Sequence, residues 1–201
     1  MKVPVEPDGR DRYWEELRAM EPRLVCERGL VSFRDGRYRI PFLDEIFVVD
    51  PDNQTVLSAG NGNETDCALL SLFYLLRARN IPIEGDWVSE KGLRGGELFF
   101  RGPHALPSEN LSRIYGDDVA GFLSMAKKIG GKSVNYGDAA AEFAVLPRVP
   151  LTCILWAGDD EFPAQVNYLF DVTTSDQLPL DMVLDLVHKV ARRVANSPPN
   201  C

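Results

Sequence analysis

Leu151-Thr152-Cys153-Ile154-Leu155-Trp156-Ala157 is a nearly unbroken apolar run. It is too short for a typical helix and rich in strand formers, so it predicts a buried central strand. Gly158-Asp159-Asp160 turns the chain, and the alternating segment Val166–Asp171 returns as the second arm of an antiparallel hairpin.

Outward from this hairpin, residues 180–195 predict a closing helix, with Val183, Leu186, Val187, Val190 and Val194 facing the core. Upstream, residues 64–79 predict the clearest helix. Its apolar side chains cover nearly the whole circumference, which marks a buried central helix, and Thr65 or Asp66 is its cap. Residues 30–59 predict a small antiparallel meander: Asp35-Gly36 suits a tight turn, Pro41 ends the first pairing, and Glu45–Asp50 and Thr55–Ala59 follow as strands. Residues 11–20 predict a surface helix with Trp14, Leu17 and Val25 inward. Glu97–Arg101 predicts a short strand, and two short helices follow near 108–114 and 117–129, the second capped by Asp117. Runs of strands and runs of helices, without strict alternation, give an α+β class. The expected architecture is a mixed or mainly antiparallel sheet packed by the central and C-terminal helices. Residues 1–10 are expected to be a flexible N-terminus, 11–195 one α+β domain and 196–201 a frayed tail.

The chain has 201 residues, a formal net charge of −8 and a pI near 4.8. A protein that tracks a nucleic-acid backbone needs a field of Lys and Arg, and no such stripe exists here, so no nucleic-acid partner is expected. No apolar run approaches the ~20 residues that span a bilayer, so no membrane role is expected either. Cys26, Cys67, Cys153 and Cys201 are too far apart for a zinc-ribbon or ferredoxin ligand set, and Cys67 and Cys153 read as buried core thiols.

Three constellations could carry chemistry. Gly60-Asn61-Gly62-Asn63-Glu64-Thr65 resembles a phosphate loop in placement, but Thr65 replaces the third glycine and Glu64 would face the phosphate, so it reads as a turn. The acidic turn Asp159-Asp160-Glu161 could bind a hard cation or share a proton, and its attachment to the most buried strand would hold it rigidly. Arg101-Gly102-Pro103-His104 is a stiffened loop carrying a cation and a titratable ring, suited to an anionic group. His188 borders the apolar stripe of the last helix. It reads as a boundary histidine or as an axial ligand to a porphyrin or corrinoid. Tyr-Gly-Asp occurs at 115–117 and again at 136–138. Gly-x-Ser-x-Gly and local Cys-His signatures are missing, so no catalytic role is assigned to any residue.

The segments Gly96-Glu97-Leu98-Phe99-Phe100-Arg101-Gly102-Pro103, Leu146-Pro147-Arg148-Val149-Pro150-Leu151, Ile154–Ala164, Leu169-Phe170-Asp171 and Leu178-Pro179-Leu180-Asp181 together resemble a family of uncharacterised proteins, a domain of unknown function, from anaerobic bacteria and archaea. The resemblance implies a soluble cytoplasmic protein. It also implies an association with cysteine-rich iron–sulfur segments or with corrinoid and one-carbon machinery. It carries no catalytic residue.

The expected role is therefore a non-enzymatic binding or accessory protein, for a corrinoid, another tetrapyrrole or a redox partner, with 101–107 and 158–163 as its surface. One alternative is a carboxylate-dependent, metal-binding enzyme using Asp159, Asp160 and Glu161, with Arg101 or His104 holding an anion. Another is an assembly scaffold. No cofactor signature is present, a small-molecule or a protein partner fits, and the oligomeric state is left open.

Overall fold

The computed structural model describes residues 9–60, 62 and 66–195. Most of the expected flexible N-terminus, the whole expected tail at 196–201, and Asn61, Asn63, Glu64 and Thr65 of the glycine-rich turn lie outside these residues.

The chain opens with α1 (Asp11–Ala19) and α2 (Pro22–Gly29), which bury Trp14, Leu17 and Val25 as the apolar spacing predicts. Pro22 sits in the first turn of α2, where its missing N–H costs nothing. A four-stranded antiparallel meander follows: β1 (Ser32–Arg34), β2 (Arg37–Phe42), β3 (Glu45–Asp50) and β4 (Thr55–Ser58). Asp35 (φ 53°) and Gly36 (φ 75°) are both left-handed, the geometry that joins β1 to β2. Pro41 does not end β2. It pairs with Ile46, while β1 reaches only as far as Arg39, so the proline occupies an edge position on that side.

Helix α3 (Ala68–Arg77) is the central helix; Leu70, Leu72, Tyr74, Leu75 and Leu76 are buried around it, and it packs on α1, α2, α8 (Leu180–Val194) and β4. It begins later than the apolar pattern suggests. Asp66 does not cap it, because its carboxylate faces Lys189 (3.1 Å) and Arg192 (3.1 Å) instead.

After the irregular segment 78–86 and β5 (Trp87–Val88), residues 97–99 are helical rather than extended, in α4 (Gly96–Phe99). The reason lies in the paired glycines. Gly95 takes φ 81°, and a Cβ on Gly96 would lie 1.9 Å from the Glu90 carbonyl oxygen, so only this pair admits the tight turn that starts α4. Then come α5 (Glu109–Tyr115) and α6 (Val119–Lys128). Asp118, not Asp117, caps α6: its carboxylate accepts from the Gly121 N–H at 2.8 Å.

The second sheet holds β6 (Lys132–Val134), β7 (Ala139–Leu146), β8 (Val149–Trp156) and β9 (Gln165–Asp171) in the order β5-β9-β8-β7-β6, all antiparallel. Strand β8 is its middle strand, and residues 149–155 are all buried. Each large aliphatic side chain so enclosed contributes about 1.5–3 kcal/mol. Short α7 (Thr174–Gln177) leads into α8, whose Val183, Leu186, Val187, Val190 and Val194 close the core. The two sheets meet where the Leu43 N–H donates to the Val145 carbonyl, 3.1 Å. The class is α+β with antiparallel sheets. Cys67 and Cys153 are buried, and burial pushes the Cys153 thiol up. No described helix is long and apolar enough to cross a membrane.

Candidate functional site

The turn between β8 and β9 is built by its own carboxylates. Asp159 accepts from the backbone N–H groups of Phe162 (2.7 Å) and Glu161 (2.8 Å), and its own N–H donates to the Phe162 carbonyl (2.9 Å). The bonds from Phe162 and Glu161 hold its carboxyl below the usual carboxylate range. Asp138, before β7, accepts from the Ala157 N–H at 2.8 Å and fixes where the turn leaves the strand.

Both Tyr-Gly-Asp triplets press on this turn through their glycines. A Cβ on Gly116 would lie 2.6 Å from the Ala164 Cβ, and the Gly116 carbonyl accepts from the Gly158 N–H at 3.3 Å. Gly137 (φ 52°) packs so closely that a Cβ would lie 2.7 Å from Ile154 Cγ2 and 2.8 Å from the Leu155 carbonyl oxygen. The triplets are not a structural repeat: one ends α5 and the other joins β6 to β7. They share a task, which is close backbone approach to one hairpin. Gly137→Ala combines that clash with an unfavourable φ, so it is expected to destabilise the protein by about 1–3 kcal/mol in urea unfolding. A loss within error would show that the strand end yields freely.

Three loops therefore meet at one end of the five-stranded sheet: 114–118, 135–138 and 156–164. They carry Asp117, Asp118, Asp138, Asp159, Asp160 and Glu161, and no Lys or Arg. They also expose large rings: Tyr136 is 43% exposed, Trp156 48% and Phe162 64%. A Cβ on Gly137 would also lie 3.4 Å from the Trp156 ring. Asp160 and Glu161 are exposed at the tip.

The other sequence candidates lie elsewhere. Arg101 is turned back onto its own helix, where Nε donates to the Glu97 carbonyl (2.6 Å) and Nη2 reaches the Glu97 carboxylate (3.4 Å). His104 stacks on Phe99 with ring centroids 4.6 Å apart and 9° between planes. Both residues are exposed. Their loop precedes α5, and Gly116, which holds the acidic turn, follows it. Along the chain, a helix of about 10 Å lies between that loop and Gly116. His188 belongs to a third place, half-buried on α8. Burial and the Arg192 charge hold its pKa down, and Asp185 opposes them. Its neighbour Lys189 is buried in ion pairs with Asp66 (3.1 Å) and Asp185 (3.3 Å).

Among the described residues no group of three or more His, Cys, Asp or Glu could hold a metal ion. Asp117, Asp118, Tyr136, Asp138 and Trp156 are the members of the loop end that site reasoning from sequence missed, while Phe162 falls within the expected 158–163 surface. The doubled Tyr-Gly-Asp was the one available signal for Tyr136 and Asp138. No curated protein and no solved structure matches the chain. Residues 21–193 match one family model, and the chain belongs to that family, described as a domain of unknown function (DUF3786).

Proposed function

We propose that the protein is a binding or accessory protein whose three-loop sheet end captures a cationic segment of a protein partner. One observation supports this reading above the others: three exposed aromatic rings stand among six carboxylates with no cation in the same loops. Guanidinium and ammonium groups interact with both features, through ion pairing and through the faces of the rings. The buttressing of the turn by Gly116, Gly137 and Asp138 favours a rigid surface, which lowers the ordering cost of binding. The carboxylate-enzyme alternative is weaker, because Asp159 Oδ1 is already committed to two backbone N–H groups of its own turn.

Titration with a hexa-arginine amide, followed by amide NMR shifts and tryptophan fluorescence, tests the reading. Shifts are expected at 114–118, 135–138 and 156–164, with affinity falling as salt rises. The paired change Asp160→Lys with Glu161→Lys should weaken binding about tenfold or more, as expected for loss of several close ion pairs. Glu15→Lys with Glu21→Lys alters the net charge equally at a remote surface and should weaken it far less. Phe162→Ala, at constant charge, should weaken it about threefold to tenfold. Equal effects from the two charge reversals, together with no effect of Phe162→Ala, would reduce the binding to net charge and end the proposal.

A further inference from the structure

Between α6 and the β6 edge runs a half-open groove of about 360 Å³. That is near the small end of ligand sites, which run about 300–1,000 Å³. Leu123 and Ala126 from the helix and Ala141 from β7 make its floor, which is mainly apolar. Lys127 stands one helical turn beyond Leu123 on the same face, and Ser133 lies across from Ala141 on the strand side. The wall between them is set by Gly131. A Cβ there would lie 2.6 Å from the Phe143 ring and 2.8 Å from the Ala126 carbonyl oxygen, so the chain can return beside α6 only as glycine.

The charge around this groove is unlike the rest of the molecule. The chain has six lysines, and Lys127, Lys128 and Lys132 are three of them. Among the described residues neither Lys127 nor Lys132, both of which line the groove, has a carboxylate at ion-pair distance; the contrast is Lys189, held by Asp66 and Asp185. Glu142 is the cross-strand partner of Lys132, and strand alternation puts both on the face opposite Ala141 and Ser133. No carboxylate lines the groove.

We infer that this groove binds a small amphiphilic anion, a carboxylate on a short aliphatic chain, with the tail over Leu123, Ala126 and Ala141 and the carboxylate at the Lys127 ammonium and the Ser133 hydroxyl. Each half of such a ligand requires the other. An exposed ion pair alone contributes little, so acetate is a poor ligand. A tail alone leaves the ammonium unpaired. The site stands apart from the loop end and does not depend on its function.

The probe is octanoate, kept below its micelle concentration and followed by amide shifts. Saturable shifts at Leu123, Ala126 and Ser133 are expected, with a Kd of about 1 mM or tighter. Octan-1-ol and acetate should each bind at least about fivefold more weakly, since each lacks one contact. Lys127→Gln, an exposed change that leaves the core alone, should weaken octanoate about fivefold, and Ser133→Leu should block it by filling the mouth. Missing saturation at the groove, equal affinity for octanol or for acetate, or octanoate binding that survives both variants unchanged would each overturn the inference.

Discussion

Arg148→Ala is expected to remove about 3–5 kcal/mol of stability, the cost typical of breaking a buried charged network. Arg148 is only 6% exposed, and among the described residues no carboxylate lies at ion-pair distance from it. Its guanidinium donates instead to backbone and amide oxygens: Nε to the Arg28 carbonyl (2.6 Å), Nη1 to the Ile81 carbonyl (2.9 Å), and Nη2 to Asn80 Oδ1 (2.6 Å) and the Glu27 carbonyl (3.4 Å). Glu27 and Arg28 belong to the last turn of α2, where carbonyls lack intrahelical partners and the helix dipole is negative. The Tyr74 hydroxyl completes the cap. It donates to the Gly29 carbonyl (2.9 Å) and accepts from the Arg148 N–H (3.1 Å). One side chain thus ties the end of α2 and the irregular 80–81 segment to the β7–β8 turn. Alanine would strand several buried acceptors at about 1–3 kcal/mol each, partly offset by water entering the space. Lysine should recover little, since one ammonium cannot reach carbonyls arranged for a planar fork. With a typical domain stability of about 5–15 kcal/mol, urea unfolding of Arg148→Ala should show a large fall in midpoint. A loss below about 1 kcal/mol would mean that water replaces the fork at no cost.

Asp171→Asn is the second large effect, and it carries a pH signature. Asp171 is fully buried at the end of β9. Its carboxylate accepts from the Thr173 hydroxyl and N–H (3.1 Å), from the Gly85 N–H (2.7 Å) and from the Glu84 N–H (3.4 Å). Burial alone would raise its pKa, but the bonds from Thr173, Gly85 and Glu84 outweigh burial and hold it below the ordinary carboxylate value. A pKa lowered by folding adds stability above the unfolded value of about 3.9, and that stability is lost as pH falls through the folded value. At pH 7 asparagine should cost about 2–4 kcal/mol, because its NH₂ would meet N–H donors where an oxygen accepted. The gap between wild type and Asp171→Asn should narrow as pH drops below about 4, when the wild-type carboxyl gains its own proton. A gap that stays constant from neutral pH to acid denaturation would contradict an ionised acceptor at this position.

Arg148 and Asp171 both lie within the residues 21–193 that match the family model. With Gln177, whose side chain accepts from the Arg79 N–H (2.9 Å) and donates to the Ile81 carbonyl (3.4 Å), they pin the coil between α3 and β5 from three directions. That coil has no ladder partners of its own at 79–86, and buried side chains supply what secondary structure would otherwise provide.

Strand β8, its hairpin with β9, the meander turn at Asp35-Gly36, α3 and α8 were all readable from the chain, because each is dictated by apolar spacing or by a local turn that needs few neighbours. The stretch 97–101 was misread, because its outcome depends on Gly96 fitting against the Glu90 carbonyl, a contact that hydropathy does not encode. The start of α3 was misplaced for a related reason. Asp66 looked like a cap until Lys189 and Arg192, far along the chain, claimed its carboxylate. Among the site candidates, the acidic turn was visible as a run of carboxylates, but the rings around it were scattered over distant segments.

Local chemistry therefore determined an acidic α+β chain with a buried strand, an all-apolar helix and a carboxylate-rich turn, since solvation and backbone preference act residue by residue. Only the tertiary structure decided that Gly116 and Gly137 press on that turn, that Arg148 serves carbonyls instead of an anion, and that Lys127 looks into an apolar groove. Those outcomes depend on which surfaces meet across the fold, and packing at near-crystalline density settles that globally.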